Sequence, residues 1–342
     1  TARAGEVIAA LAALMEAVGA ARGVVAVKAK NAGAVEALSG PAARAGVEVV
    51  RLGDFYPAGD EHVLVREITG RTIPPFGLPR DADALVANVS TLASVAEALA
   101  GRPVTRKTLT VTGAVANPGV VDAPLGASLA RCLDHCGGSA EADPVFVAGG
   151  PLMGRFLESP AALEAAVVTK TTSGLVVLPR GAFLHRAATL DPRVMRRRAA
   201  LACIQCRACT DLCPRYLAGQ GFETHRVMRA FAAGAGADRS TEQALLCCEC
   251  GVCELFACPM GLSPRRINAL LKAGFREAGA GYQGPRDVVP GREDLREFRK
   301  IPSRRLALRV GLESYLDLHP DFLGALAVPE ARIPLSQHIG AP

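Results

Sequence analysis

A chain of 342 residues exceeds one ordinary domain and fits two or three. Half of its residues are hydrophobic and 21% are charged, a balance that builds buried cores and excludes a disordered chain. The formal charge of +6, from 39 Lys and Arg against 33 Asp and Glu, is mild, and with no Trp and 4% aromatic residues it gives no footing for nucleic-acid binding.

The opening TARAGEVIAALAALMEAVGAARG has helical periodicity over 3–18 and carries Glu6 and Glu16, so it is an amphipathic helix and not a signal peptide. A chain opening on Thr1 is expected to be a piece of something longer. No run approaches the roughly 18 apolar residues of a spanning helix, so no membrane span is expected. VVAVK (24–28) reads as a buried strand, AGAVEALSGPAARAG as a second helix, and VEVVRL (47–52) as a second strand. Strands alternating with helices at this spacing predict a parallel, layered α/β unit. A Pro- and Gly-rich loop runs from Tyr56 to Pro79 around a short helical stretch at His62–Thr69. ALVANVST (84–91) is read as a third strand ending in a polar turn, followed by a helix over 92–100.

From Arg106 the pattern changes to short β segments, TLTVTG (108–113), GVVDAPLG (119–126), VFVAGG (145–150) and GLVVLP (174–179), around one helix at 127–136. That is a small α+β module. Residues 193–282 become helical, and the tail from about 283 reads as an arm with a helix at 307–317. The expected domains are therefore 1–104, 105–192, 193–282 and 283–342. GGPLMG (149–154) and GAGAD (234–238) sit outside any strand-to-helix register and are read as turns.

Cysteine usage sets the chemistry. Nine of the 11 cysteines lie between Cys203 and Cys258. One dense cluster in a long chain is a metal region in a reducing compartment, not a disulfide scaffold. The first run holds Cys203, Cys206, Cys209 and Cys213, with Pro214 behind it; the second holds Cys247, Cys250, Cys253 and Cys258, with Pro259 behind it. Three closely spaced thiolates wrap three corners of a cubane, and the cysteine before the proline ligates the other cluster in two-cluster ferredoxins. One [4Fe–4S] cluster is thus expected on Cys203, Cys206, Cys209 and Cys258, and a second on Cys247, Cys250, Cys253 and Cys213. Structural zinc prefers two separated CxxC pairs around one tetrahedron, which fits worse. The second run ends x4 where the first ends x3. Cys248 falls outside the spacing and is read as a spare, buried thiol. Cys132 and Cys136 are read as core or surface thiols. The six histidines are scattered and suggest no catalytic group.

CIQCRACTDLCPRYLAG and LLCCECGVCELFACPMGLSPRRIN resemble the ferredoxin region of the PduS cobalamin reductase family, which belongs to a wider RnfC-like group. RGVVAVKAKNAGAVEAL, TVTGAVANPGVVDAPLG, VAGGPLMGR and VVTKTTSGLVVLPRG extend the likeness through the chain. It implies an α/β fold class: a partial RnfC or complex I flavoprotein-type domain, an SLBB β-grasp-like module and a helical two-cluster ferredoxin domain. It also implies FMN and NADH on the α/β domain, held partly by a GxGGAGFP-type loop that this chain lacks before its first helix. By the same resemblance YPAGDE (56–61) takes the place of the acidic flavin loop and NVST (88–91) that of the turn touching the flavin. Asn88 and Thr91 become FMN contacts, Glu61 lies near flavin or nicotinamide, and Lys28 near the nucleotide. Taken alone, NVST reads as a helix cap. IPLSQHIGAP (333–342), with His338, resembles the opening of a barrel-sandwich module.

The implied activity is electron transfer from NADH through FMN and two [4Fe–4S] clusters to cobalamin, for a partner adenosyltransferase. The implied setting is cytoplasmic, inside a bacterial microcompartment beside its shell proteins. The alternatives are an RnfC-like component of a membrane ferredoxin:NAD oxidoreductase, or an electron relay without flavin.

Overall fold

The structure is a computed structural model and describes residues 2–292, 294, 299–316 and 321–327. It divides into two compact units, Thr1–Val104 with Arg186–Leu316, and Thr105–His185 with Asp317–Pro342.

In the first unit, the helix Ala4–Val18 ends at Gly19, whose left-handed φ of 68° caps it. One side of this helix, Ala4 and Ile8, packs on Leu38 and Ala42 of the helix Ala32–Arg44. The other, Val7 and Ala10, packs on Leu92 of the helix Val89–Leu99. The strands Val24–Lys28 and Glu48–Leu52 pair in parallel, Val24 opposite Glu48 through Lys28 opposite Leu52. Among the described residues this sheet stops at two strands. The third strand expected at 84–91 is absent there, because Asn88 Oδ1 accepts the Ser90 N–H at 2.9 Å and starts the helix at Val89, before 92. Ala84 and Val86 instead pack on Val65, Ile73 and Ala82, under the helix Glu61–Thr69.

The cysteine-bearing part of the same unit is helical. It runs through Pro192–Ala202, Ala208–Asp211, Pro214–Leu217, Thr224–Ala232 and Pro264–Glu277. Met195, Phe222, Val227, Met228, Ile267 and Leu271 form its core. In the tail the helix is Ser303–Arg309, not 307–317, because Gly311 adopts a left-handed φ of 76° just past its end. IPLSQHIGAP and His338 lie outside the described residues.

The second unit is a six-stranded mixed sheet. Its strand order is Asp321–Ala325, Gly119–Pro124, Arg106–Gly113, Gly174–Pro179, Pro144–Ala148, Arg155–Leu157. Arg106–Gly113 pairs antiparallel with Gly119–Pro124 and parallel with Gly174–Pro179. The helices Leu129–His135 and Pro160–Ala165 accompany it. The strands at 155 and 321 and the helix at 160 were not expected. Each is too short to show a period, and pairing rather than propensity makes the two strands. Arg106 holds the outermost strand by donating to Asp122 Oδ2 at 2.5 Å and to the Leu326 carbonyl at 2.9 Å. Cys132 and Cys136 are fully buried in this core, and burial pushes the Cys132 thiol up to about 11.

At Gly113 the φ is +90°, and a Cβ would stand 2.1 Å from the Val177 carbonyl oxygen. Only glycine closes this strand crossing. Gly113→Ala should therefore destabilise the chain by on the order of 3 kcal/mol or more, read as a lower denaturation midpoint. An unchanged midpoint would contradict this packing.

Candidate metal centre and flavin region

The two cysteine runs fold into the same backbone shape. Gln205 and Arg207 adopt left-handed φ of 53° and 64°, and Glu249 and Gly251 adopt 58° and 84°. These are the second and fourth residues after Cys203 and after Cys247, so the loops superpose only when the second run is counted from Cys247. The extra residue before Cys258 is absorbed by a π-helical turn, Val252–Ala257, where the first run has an α-helical turn, Ala208–Asp211. Both pre-proline cysteines are extended, Cys213 at φ −72°, ψ 123° and Cys258 at φ −74°, ψ 113°, as a following proline requires.

Those extended cysteines cross over. Cys203, Cys206, Cys209 and Cys258 line one cavity, with Ile204, His225 and Leu262 in its wall. Cys213, Cys247, Cys250 and Cys253 line another, with Phe222 and Thr224. Among the described residues, no three His, Cys, Asp or Glu side chains converge as a single metal ion requires. The thiols ring a space rather than a point, which suits a multi-iron cluster better than zinc. Burial, then the neighbouring thiolates led by Cys258, pushes the Cys209 thiol up to about 12. Burial likewise pushes Cys213 up to about 12 and raises Cys247 and Cys253. Such thiols ionise only against a strong local cation, and bound iron supplies that charge.

The residues fit clusters in a second way: sulfur acceptors and an unpaired donor are already in place. Gln205 Nε2 donates to Cys203 Sγ at 3.1 Å, Glu249 N to Cys247 Sγ at 3.3 Å, and Leu262 N to Cys258 Sγ at 3.4 Å. Thr224 is fully buried in the wall of the second cavity, and its hydroxyl has no partner. Cys248 is half-buried, not buried as expected, and it lines the second cavity and hydrogen-bonds Cys250.

The acidic loop at 56–61 is bonded to the backbone of the second cysteine run. Tyr56 Oη donates to the Cys250 carbonyl at 2.8 Å. Asp60 caps the helix Glu61–Thr69 by accepting the His62 and Val63 N–H groups. Its Oδ2 also accepts from Arg215 Nη2 at 3.1 Å, while Arg215 Nη1 lies 3.0 Å from Oδ1 at an angle that makes no hydrogen bond. Gln220 links His62 Nδ1, at 2.6 Å, to the Ile73 carbonyl, at 2.9 Å. Thr72 donates its hydroxyl to the Ala218 carbonyl at 2.7 Å.

Glu61 is exposed in the first turn of its helix. Asn88 and Thr91 are exposed at the start of the helix Val89–Leu99, with Asn88 as its cap. The first N–H groups of that helix are taken up within the turn: Ser90 N donates to Asn88 Oδ1 at 2.9 Å and Thr91 N to the Asn88 carbonyl at 2.8 Å. Lys28 donates to Asp54 Oδ1 at 2.9 Å and Ser303 Oγ at 3.0 Å. Burial works against the Asp54 carboxylate, but hydrogen bonds from Lys28, Ser303 and Lys30 outweigh it and hold Asp54 at about 2. Among the described residues no helix is long and apolar enough to cross a membrane. Sequence reasoning placed Tyr56 and Asp60 only within YPAGDE, without their individual roles, and missed Arg215, Thr224 and His225. Asp60 left a further signal, as an aspartate directly before a helical run.

Three family matches cover the chain in turn: the Nuo51 FMN-binding domain over residues 1–97, the SLBB domain over 108–156 and the 4Fe-4S dicluster domain over 202–263. Fold and site together define an iron–sulfur flavoprotein, an oxidoreductase that transfers electrons. The chain is 41% identical to the cobalamin reductase PduS of Salmonella typhimurium over 329 residues, 96% of this chain and 71% of that one. The Citrobacter freundii cobalamin reductase PduS is 40% identical over the same shares. A component of the Na(+)-translocating ferredoxin:NAD(+) oxidoreductase complex of Acetobacterium woodii is 33% identical over 64% of this chain and 46% of its own length. The chain belongs to the PduS cobalamin reductase family.

The backbone register generates one test. Cys248→Ser should keep both clusters and Cys250→Ser should lose one, counted by EPR of the dithionite-reduced proteins. A lost cluster in the Cys248 variant would mean that the second run is counted from the wrong cysteine.

The buried histidine generates another. Burial, then the nearby Arg215 charge, lowers His62 to about 4. The unfolded chain binds the extra proton near pH 6.5, so stability is complete above that pH and is lost as pH falls toward 4. His62→Gln should flatten the loss between pH 6.5 and 4 in denaturant titrations, and an equal slope in both proteins would place the loss elsewhere.

Proposed function

We propose that the chain carries electrons from NADH, through FMN and two [4Fe–4S] clusters, to cobalamin, reduced for a partner adenosyltransferase. The ligands in this reading are Cys203, Cys206, Cys209 and Cys258 for the first cluster and Cys247, Cys250, Cys253 and Cys213 for the second. The observation that carries it is the pair of four-thiol cavities with exchanged fourth cysteines, with Tyr56 of the loop at 56–61 bonded to the Cys250 carbonyl. NADH as donor is supported by the FMN-binding domain match and by the ferredoxin:NAD(+) relative, and cobalamin as acceptor by the names of the two PduS relatives. Bound flavin takes hydride as two electrons, and clusters pass electrons on singly.

The chain's own residues fix distance, water and potential. Tyr56 and the Asp60–Arg215 pair pin the flavin-side loop to the second cavity, so the gap an electron crosses does not drift. All four thiols of the second cavity are buried, whereas Cys206 in the first is exposed and Cys203 and Cys209 are half-buried. A cluster held by the second set would be shielded from solvent, and one held by the first would lie where an acceptor can reach it at the surface. Asn88, Thr91 and Glu61 remain the proposed flavin contacts of this chain. The family's setting extends the reading to a microcompartment interior, with shell proteins as neighbours.

A second reading has its own support in the relative from a ferredoxin:NAD(+) oxidoreductase complex: the same relay, docked on other proteins in place of a corrinoid. The test is anaerobic. Reconstituted protein should hold about eight irons and eight labile sulfides, two cubanes of four each. With FMN, NADH should bleach the cluster absorption, and added cob(III)alamin should restore it as cob(II)alamin forms. Stoichiometric zinc without sulfide would end the cluster assignment. Bleaching by NADH, with restoration by a ferredoxin but not by cobalamin, would favour the second reading. Restoration without any flavin would favour a plain relay.

A further inference from the structure

The helix Thr224–Ala232 starts between the two cavities, and its first two residues face different ones. Thr224 lines the cavity of Cys213, Cys247, Cys250 and Cys253, and His225 lines that of Cys203, Cys206, Cys209 and Cys258. Successive helical residues point about 100° apart, so one turn can address two neighbouring sites.

Each residue also has a donor to spend. Thr224 is fully buried and its Oγ1 has no hydrogen-bond partner, a costly state for a hydroxyl unless an acceptor occupies the cavity. Thr210 Oγ1 accepts the His225 backbone N–H at 3.0 Å and lies 2.9 Å from His225 Nδ1. In the tautomer whose Nδ1 accepts from Thr210, the ring proton sits on Nε2, which meets no protein acceptor among the described residues. The only acceptors a cluster brings to either cavity are its sulfurs.

We propose that Thr224 and His225 are positioning residues that set the potentials of the two clusters one each, Thr224 for the second and His225 for the first. This rests on the two-cluster reading above. Reduction adds negative charge to a cluster, and a hydrogen bond to its sulfur is stronger in the reduced state, so each donor raises the potential of its own cluster. The helix N-terminus adds the same sign of field to both and does not discriminate between them. The discrimination lies in the two side chains.

The experiment is an anaerobic redox titration of the full chain followed by EPR, with Cys250→Ser supplying the reference spectrum of the first cluster alone. Thr224→Val keeps the shape and removes the hydroxyl. At a fixed ambient potential it should lower the reduced-to-oxidised ratio of the second cluster by on the order of tenfold, about 59 mV for one electron, and leave the first in place. His225→Leu should do the reverse. Thr224→Ser and His225→Gln, which keep a donor, should restore most of each shift, which a merely structural loss would not allow. In deuterated buffer, electron–nuclear double resonance should show at each cluster, beside the deuterons of the Gln205, Leu262 and Glu249 N–H groups, one strongly coupled deuteron that Thr224→Val removes from the second cluster and His225→Leu from the first. Unmoved potentials, both variants moving the same cluster, or no deuteron lost in the variants would each overturn the assignment. A wild-type protein with no labile sulfide would overturn the cluster reading itself, a distinguishable result.

Discussion

Neither cysteine run can close its own cavity. Each supplies three thiols in a tight left-handed loop and sends its fourth, fixed in extended backbone by the following proline, to the other. The two sites are therefore one cooperative object, and the helices between them are placed by this exchange. Buried thiols whose ionisation is opposed by burial gain little from folding alone, so metal binding contributes directly to the stability of this region. The core of Met195, Phe222, Met228 and Ile267 is modest in size, and it packs around the cavities rather than apart from them.

The same exchange explains why the loop at 56–61 lies where it does. Cys213 and Cys250 belong to different runs, yet both border the second cavity. The α/β part reaches both: Tyr56 bonds the Cys250 carbonyl, and Asp60 pairs with Arg215, two residues past Cys213. A buried ion pair is weak as a source of stability but strongly resists the loss of one partner. Here it fixes a spacing, and electron transfer depends on spacing more than on binding strength.

Much of this was legible in the sequence because it is local. The cysteine spacing and the prolines behind Cys213 and Cys258 prescribe backbone within a few residues, and the alternating strands and helices at 24–52 follow from hydrophobic period. What failed is non-local. ALVANVST has a strand's composition, but no neighbouring strand among the described residues pairs with it, and the Asn88 cap turns the chain into a helix. The strand at Asp321–Ala325 exists only because Gly119–Pro124 offers an edge. Arg215, Thr224 and His225 carry no motif at all, since their roles come from which cavity a helix happens to face.

The electrostatic asymmetry of the two cavities follows from these placements. Around the second stand Arg215 and Lys272, which donates to the Cys247 carbonyl at 2.9 Å and pairs with Glu249 at 2.8 Å. Each of these cations is already partly neutralised by a carboxylate, Asp60 or Glu249, so the charge they lend an anionic cluster is reduced. A fully buried cluster meets a desolvation cost that an exposed one does not, and burial favours the less charged, oxidised state. The deeper second cavity would pull the potential of a bound cluster down, while the Glu249 N–H, already on Cys247 Sγ, and the proposed Thr224 donor would pull it up. The first cavity, open at Cys206, relies on water for much of that support. A relay runs smoothly only when neighbouring potentials are close. Giving the buried site a hydroxyl of its own offsets what burial takes away, without adding a charge that would itself need a partner.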